Sequence, residues 1–330
     1  MIVLAGDIGG TNSRLALYDG LKLVFEKTYP SAQQSSLETA STQFLTDART
    51  ALGAGVTPER ACLAVAGPID GRTARITNLP WFVDAASLEA HLKIPQVRLA
   101  NDFEAAAYGV PLLSAEHLVP LGGELRHPTG PMVVAGPGTG LGQAFLFWTE
   151  SDRSYHVVAS EAGHGDFAPR TPIEWGLCRH LAAIYGRVSN ERVISGPAFK
   201  DLFAYLLAEP ALRTLATRET VAALEHEDPA AVIVRQAVSG RDPLCLMAVN
   251  VFCSALGAFA GNLALTVLAT GGVFIAGGIA PRIVQLLQSG PFRESFEAKG
   301  RLKPFLTRVP VFVVTSREVG LLGAAALAGA

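Results

Sequence analysis

The strongest constraint on the fold is a pattern that occurs twice: an apolar strand, a glycine-rich loop and a second apolar strand. Near the N-terminus, GDIGGTN (6–12) lies between predicted strands at 2–5 and 13–18. In the middle of the chain, GPGTGLG (136–142) lies between two further apolar segments. Apolar runs bounded by turn residues are typical of strands. Repetition of the whole layout indicates an internal duplication.

Chain length and the remaining pattern predict two α/β domains. The chain has 330 residues, which is more than one hydrophobic core usually accommodates. Predicted helices, such as those over 36–52 and 103–108, alternate with the strands. Between the first glycine loop and residue 103, two local predictions follow from turn and cap residues. Strand 74–77 pairs with strand 62–66, and Ser87 caps a short helix.

Charge and cysteine content narrow the class of protein. A formal net charge of −2 gives no global attraction to nucleic acid or to an anionic membrane. The four cysteines form no CxxC pair and no zinc-ligand spacing, so buried, reduced thiols are predicted. The initial apolar run ends at Asp7, too early for a signal peptide. A cytoplasmic protein is therefore expected.

One long apolar segment needs a membrane test. No charged residue lies between Asp242 and Arg282, a stretch longer than the ~20 residues that span a bilayer. Asn250 and Asn262 interrupt this stretch, and glycine pairs divide its second half. A spanning helix has no need of such loops. A buried helix, a turn, a buried strand and a glycine loop are predicted instead.

GDIGGTN is interpreted as a phosphate-binding loop. Its glycines, Gly9 and Gly10, are expected to take positive φ and let the backbone approach a ligand, and consecutive amides in such a turn bind an anion. Asp7 is expected to hold a hydrated Mg²⁺ that bridges to the phosphates. An ordinary hairpin turn is the alternative. The predicted binding residues are Gly6, Asp7, Ile8, Gly9, Gly10 and Thr11.

Two further glycine loops extend the predicted nucleotide site. In GPGTGLG, the candidates are Gly138, Thr139 and Gly140. This spacing differs from the dinucleotide fingerprint, and the chain contains no Walker A motif. In GGVFIAGGI (271–279), Gly277 and Gly278 would let an adenine ring lie against bare backbone. A tight strand-to-helix crossing explains this third loop equally well.

Asp102 is the candidate general base. It follows the predicted strand 97–100 and precedes a helix, a position from which a carboxylate projects beyond a sheet edge. Asn101 beside it can bond a hydroxyl group of a ligand. Both residue types also cap helices, so the residues alone leave capping and catalysis open. His164 taken alone fits a core or zinc site, and Glu191 taken alone fits a capping box.

With these loops in this order, the chain resembles the superfamily of sugar kinases, actin and heat-shock chaperone ATPases. Further motifs resemble the bacterial glucokinase family over essentially the full length. They are NDFEAAA (101–107), SEAGHGDFAP (160–169), SNERVISGP (189–197) and GLLGAAA (320–326). The zinc-binding cysteine cluster of the related ROK family is missing, so the chain resembles the zinc-free branch.

This resemblance implies a two-lobed, actin-like (ribonuclease H-like) α/β fold with ATP and sugar in a cleft. The small domain would take residues 1–111 plus 317–330, and the large domain 112–316. The implied reaction transfers the γ-phosphoryl group of ATP, with Mg²⁺, to the 6-hydroxyl of D-glucose. Asp102 would be the base. The implied sugar contacts are Asn78, Asn101, Asp102, Glu161, His164 and Glu191. Trp81 is assigned to packing.

Several alternatives stay open at this point. Pro137 and Ala162 depart from the commoner family pattern, which affects loop stiffness more than reaction type. The sugar could be another hexose or an amino sugar, and the donor could be polyphosphate or ADP. A non-kinase ATPase of the superfamily would not need a base together with sugar-binding groups. A sugar-sensing regulator would need an additional DNA-binding domain. The expected partners are glucose, ATP and a second copy of the chain, with no nucleic acid and no membrane.

Overall fold

The computed structural model describes residues 1–53, 55–77, 79–124 and 127–329. The chain forms two units, and each contains a sheet covered by helices. The first unit comprises Met1–Ala115, Tyr155–Ala159 and Ser316–Ala330, and the second comprises Glu116–Ser154 and Ser160–Thr315.

Both units combine strands with helices, as the α/β prediction requires. The strands are β1 (Ile2–Ile8), β2 (Asn12–Asp19), β3 (Lys22–Pro30), β4 (Arg60–Val65), β5 (Ile69–Asp70), β6 (Thr73–Arg75), β7 (Phe82–Asp84), β8 (Val97–Asn101), β9 (Leu118–Pro120), β10 (Met132–Pro137), β11 (Leu141–Thr149), β12 (Ser154–Ser160), β13 (Gly272–Ile275) and β14 (Val311–Val314). The α-helices are α1 (Leu37–Leu52), α2 (Ala85–Leu92), α3 (Asp102–Gly109), α4 (Pro172–Tyr185), α5 (Ala198–Ala208), α6 (Arg218–Ala223), α7 (Pro229–Val238), α8 (Pro243–Val267), α9 (Val284–Ser289), α10 (Phe292–Glu297), α11 (Lys303–Arg308) and α12 (Val319–Gly329).

The sheet of the first unit has the order β3-β2-β1-β4-β8. β1 and β2 form an antiparallel hairpin, while β1, β4 and β8 run parallel. Successive side chains of a strand point to opposite faces. Leu4 and Ile8 therefore join the core cluster that includes α1, and Val3 and Ala5 join the cluster that includes α12. Because parallel strands end at the same edge, β1 and β8 bring Ile8 and Asn101 to one edge of the sheet.

Helices α3 and α12 approach each other at glycine positions. A Cβ atom added to Gly323 would overlap the carbonyl oxygen of Ala105, and one added to Gly109 would overlap that of Val319. Only hydrogen at these positions permits such contact between two helix backbones. The C-terminal helix is thus packed into the N-terminal part of the chain.

The second unit repeats the strand layout of the first. β10 and β11 form an antiparallel hairpin, and β10, β13 and β14 run parallel. The order β11-β10-β13-β14 corresponds to β2-β1-β4-β8, with β9 added at the far edge. The duplication indicated by the two glycine loops is therefore present in the sheets.

Helix α8 occupies the centre of the second unit. Its most apolar 18-residue window has a mean hydropathy of 1.9, which is enough for a membrane span by length and composition. However, 78% of that window is buried, and residues such as Phe252 and Leu256 belong to the largest core cluster. A turn, β13 and a glycine loop follow α8, as the sequence predicted. The helix therefore serves as a core helix.

Two local predictions are wrong. β6 does not pair with β4, because β5 turns back on it and both join β7 in a separate three-stranded sheet. Ser87 is not the cap of α2, because the helix begins at Ala85 directly after β7. Its cap is Asp84, whose Oδ1 accepts a hydrogen bond from the N–H of Ala86 at 3.0 Å.

The cysteine prediction is correct for three of the four residues. Cys62, Cys245 and Cys253 are buried free thiols, and burial raises the pKa of each to about 12. Thiols that stay protonated and buried are chemically inert. Cys178 is free but only partly buried. Trp81 is buried in the core of the first unit, as predicted.

Candidate active site

The first glycine loop is the turn of the β1–β2 hairpin. Gly9 N–H donates to the carbonyl oxygen of Asn12 at 2.9 Å and closes the turn. Ser31 holds it from the side, since its hydroxyl donates to the Gly9 carbonyl oxygen at 2.8 Å. The expectation of positive φ is wrong, because neither Gly9 nor Gly10 takes it. A three-residue turn, 9–11, joins the strands without the left-handed conformation. Thr11 and Asn12 are exposed, so their side chains remain available to a ligand.

Glycine at position 6 has a packing role. A Cβ atom there would lie 2.6 Å from Cδ2 of Leu63, on the neighbouring strand β4. Gly6 and Ile8 are both buried within β1, so they position the turn and expose little side-chain surface. Asp7 lies between them on the opposite face of the strand.

Asp7 and Arg14 are a cross-strand pair of this hairpin. They are partners in the register, and Arg14 Nη1 lies 3.9 Å from Asp7 Oδ2. The guanidinium of Arg14 also donates to Glu26 Oε1 at 2.8 Å. Burial raises the pKa of the Asp7 carboxyl, and Arg14 opposes part of this effect. Sequence analysis missed Arg14, although equal spacing of the two residues from the turn indicates the pairing.

Asp7 also lies close to the start of α12. A Cβ atom added to Gly320 would be 3.5 Å from Asp7 Oδ2. Among the described residues, no group of three or more His, Cys, Asp and Glu is placed to hold a metal ion. One carboxylate beside an open turn fits a Mg²⁺ ion that keeps most of its waters and binds phosphates.

The second glycine loop is the turn of the β10–β11 hairpin. Within the turn, Gly138 N–H donates to the Gly140 carbonyl oxygen at 2.8 Å. The Gly138 carbonyl accepts from Gly196 N–H, also at 2.8 Å. Gly277 has a φ of +82°, and a Cβ atom on it would be 2.5 Å from the Pro137 carbonyl oxygen. The third glycine loop thus packs against the second. Thr139, Gly277 and Gly278 are exposed.

Asn101 and Asp102 lie at the junction of β8 and α3. Asn101 is the helix cap, since its Oδ1 accepts from Phe103 N–H at 2.9 Å and from Glu104 N–H at 3.3 Å. Asp102 is the first residue of the helix and is half-buried. Its Oδ1 shares the N–H of Phe103, at 2.9 Å. The neighbouring asparagine therefore performs most of the capping that Asp102 could have performed.

Glu161, His164 and Glu191 come together in the second unit. His164 Nε2 lies 3.9 Å from Glu161 Oε2, and His164 Nδ1 lies 3.9 Å from Glu191 Oε1. The side chains are 85%, 58% and 31% exposed in sequence order, so Glu161 is open to solvent and Glu191 is shielded. Glu191 Oε2 accepts a hydrogen bond from Leu141 N–H at 2.9 Å. The two carboxylates can accept hydrogen bonds from sugar hydroxyls, and the imidazole of His164 can also donate one.

The two loops that carry these side chains are joined to each other. Asn190 N–H and Glu191 N–H donate to the carbonyl oxygens of Gly165 and Gly163, at 2.9 and 3.0 Å. Arg187 Nη1 donates to the carbonyl oxygen of His164 at 2.7 Å. Sequence analysis missed Arg187, because an arginine after a helix has many possible partners.

Gln143 was also missed. It is 1% exposed, and its Nε2 donates to the Ser160 carbonyl oxygen at 2.7 Å. Ser160 in turn accepts the N–H of Ala162 on its hydroxyl at 3.2 Å. The loop that bears Glu161 is thereby held on strand β11. A polar residue within an apolar strand was the available signal. Asn78, the remaining predicted sugar contact, lies outside the described residues.

Comparisons with known proteins identify the family and the fold. The model of the glucokinase family matches residues 4–330. The glucokinase of Nostoc punctiforme is 40% identical, and the match covers 98% of each chain. A crystal structure of glucokinase from an Antarctic psychrotroph superposes with a TM-score of 0.84 at 35% identity, covering 99% of this chain and 98% of that one. A glucokinase from Balamuthia mandrillaris in complex with glucose superposes with a TM-score of 0.80 at 24% identity, covering 100% of this chain and 94% of that one. At this identity, the match shows a similar fold. The predicted two-domain α/β fold is confirmed.

Proposed function

The chain belongs to the glucokinase family, and from this membership we propose that it transfers the γ-phosphoryl group of ATP to the 6-hydroxyl of D-glucose. The products are glucose 6-phosphate and ADP. The observation that carries the proposal is the cluster of Glu161, His164 and Glu191 beside a glycine hairpin. A phosphate-binding ATPase without a sugar substrate has no need of such a cluster.

Asp102 is the general base of the proposed reaction. As the 6-hydroxyl oxygen attacks the γ-phosphorus, its proton passes to the Asp102 carboxylate, and the bond to the β-phosphate oxygen of ADP breaks. Phosphoryl transfer depends mainly on positioning and on neutralised charge. The place of Asp102 at the strand–helix junction supports this role. Asn101 and Asn78 remain proposed sugar contacts.

The glycine loops form the proposed nucleotide site. Gly6 to Thr11 and Gly138 to Gly140 would hold the phosphates, and Gly277 with Gly278 the adenine. Asp7 would hold a hydrated Mg²⁺, which supplies positive charge to the phosphate oxygens. The proposed kinase has two lobes with the expected domain limits. The small lobe comprises residues 1–111 and 317–330, and the large lobe comprises residues 112–316.

A cytoplasmic, zinc-free homodimer completes the proposal. Free cysteines support the compartment. The four cysteines have no zinc-ligand spacing, which supports assignment outside the zinc-containing ROK branch. Sedimentation at several protein concentrations tests the dimer.

A coupled assay with Mg²⁺ and a panel of hexoses and amino sugars tests the activity. We expect ATP to support glucose phosphorylation with the highest kcat/KM in the panel. Preference for another sugar would identify a different sugar kinase with the same chemistry. Nucleotide hydrolysis unaffected by every sugar would indicate a non-kinase ATPase. Polyphosphate and ADP as donors, tested in parallel, establish donor identity.

A further inference from the structure

The two carboxylate oxygens of Glu191 face different parts of the second unit. Oε1 lies 3.9 Å from His164 Nδ1, on the sugar side. Oε2 accepts a hydrogen bond from the N–H of Leu141 at 2.9 Å. Leu141 is the first residue after the turn of the β10–β11 hairpin, which is proposed to bind the phosphates. We propose that Glu191 is a positioning residue that couples occupancy of the sugar site to the order of the 138–140 turn. This inference rests on the proposed sugar-kinase function.

The contact between Glu191 and the hairpin is close and charge-assisted. A hydrogen bond from a backbone N–H to a carboxylate is stronger than one between neutral groups. A Cβ atom added to Gly140 would lie 2.6 Å from Glu191 Oε2, so the carboxylate lies directly against the turn. A displacement of Oε2 therefore weakens a hydrogen bond that holds the turn proposed to receive the phosphates.

The backbone around Glu191 strengthens this connection. The segment 189–197 is hydrogen-bonded to the loop that bears Glu161 and His164: Glu191 N–H donates to the Gly163 carbonyl oxygen at 3.0 Å. At its other end, it bonds to the hairpin through Gly196 N–H and the Gly138 carbonyl oxygen at 2.8 Å. Glu191 is thus fixed on a segment that touches both parts of the site.

Glu161 provides the natural comparison. It lies at the same distance from His164, 3.9 Å, but is 85% exposed. Within the described part of the chain, its side chain makes no hydrogen bond to the hairpin. Both carboxylates lie beside His164, but only that of Glu191 also accepts a hydrogen bond from the 138–141 hairpin segment.

Coupling follows from this arrangement. A sugar hydroxyl that donates to Oε1 restricts the rotation of the Glu191 carboxylate and so retains Oε2 on Leu141 N–H. The nucleotide then binds a turn that is already ordered and loses less conformational freedom. By linkage, the nucleotide raises sugar affinity by the same factor.

The test measures the Kd of Mg·AMP-PNP by calorimetry with and without saturating glucose. In the wild type, we expect glucose to tighten nucleotide binding by about fivefold or more. In Glu191→Ala, this ratio falls to about one, the value for uncoupled sites. In Glu161→Ala, glucose binds more weakly, but the ratio at saturating glucose stays at the wild-type value.

Two further variants separate coupling from a folding defect. Glu191→Gln retains an oxygen that can accept the Leu141 N–H but replaces the charge-assisted hydrogen bond with a neutral one, so its ratio lies between those of the wild type and Glu191→Ala. Gly140→Ala displaces Oε2 from the hairpin side and reduces the ratio although the sugar-facing residues are unchanged. Circular dichroism melts establish which variants are folded.

Equal ratios in the wild type, Glu191→Ala and Glu161→Ala overturn the proposal, as does a wild-type ratio of one. These outcomes differ from failure of the proposed function, which appears as absence of sugar phosphorylation by the wild type. An enzyme that phosphorylates glucose without coupling refutes only the role of Glu191.

Discussion

The side-chain amide of Asn101 binds the backbone of Gly67, because Asn101 Nδ2 donates a hydrogen bond to the Gly67 carbonyl oxygen at 3.3 Å. The same amide caps α3 through Oδ1. Gly67 has a φ of +153°, and a Cβ atom there would overlap the carbonyl oxygen of Arg75. One amide thus joins a glycine turn to the helix start that carries Asp102. The orientation of the proposed base depends on a neighbour that both donates and accepts.

Asn101→Ala is expected to destabilise the protein by about 1 kcal/mol or more, because loss of a cap has this cost. In Asn101→Asp, the capping oxygen remains and the donor to Gly67 is lost, so the destabilisation is smaller. Thermal melts compare the two variants. Equal Tm values for both would show that the cap contributes nothing and that the hydrogen bond to Gly67 carries the effect.

Asp102→Asn is expected to lower kcat by about 10²–10⁴, the usual contribution of a general base. The amide has nearly the same shape, so glucose affinity should change little. Initial rates in the coupled assay and calorimetric glucose binding measure the two quantities. Glu104→Gln is the matched control, because Glu104 lies in the same helical turn and pairs with Arg98 at 3.1 Å. A kcat for Asp102→Asn within about tenfold of wild type is incompatible with a catalytic base.

Gly323→Ala is expected to destabilise the protein by about 1–3 kcal/mol, the cost of overpacking, because its Cβ atom would overlap the carbonyl oxygen of Ala105. Gly329→Ala, on the same helix, is the control. Its Cβ atom would meet only Met1 Cε at 3.9 Å. Replacing a helical glycine without steric conflict tends to stabilise. Differential scanning calorimetry compares the two proteins, and a Tm for Gly323→Ala at or above wild type would contradict the α3–α12 packing.

Lys299 is expected to make stability rise with pH. Burial, with a smaller contribution from Arg170, lowers the pKa of its ammonium group from 10.5 to about 8. Between these values the unfolded chain binds more protons than the folded protein, so the free energy of unfolding increases as pH rises. Below pH 8 both states are protonated, and the full cost of the buried charge is present.

Lys299→Met removes this pH dependence. The difference in Tm between the variant and the wild type is expected to shift in favour of the wild type from pH 7.5 to pH 10. Other titrating groups contribute equally to both proteins and cancel. Lys303→Met, at an exposed position four residues on, should show a constant difference. A constant difference for Lys299→Met as well would mean that its pKa is not lowered.

Local features of the site were predictable from sequence. Both glycine hairpins, the helix start at Asp102 and the core helix α8 depend on residues that are neighbours in the chain. The pairing of Asp7 with Arg14 could also have been predicted from the sequence, because the position of the turn sets the register of the hairpin. The pairing of β6 could not have been predicted in this way. A short strand has few side chains to specify its partner, so it pairs with the strand that its connections bring closest.

By itself, the sequence determined that two strand–glycine–strand hairpins form and that a carboxylate follows the end of a buried strand. Backbone preferences and apolar spacing act over a few residues, and they suffice for such elements. Only the tertiary structure decided that Glu191 binds the amide of Leu141, fifty residues before it in the chain, and that α12 packs on α3. Contacts between distant segments depend on how whole sheets and helices pack, and this packing is a property of the complete fold.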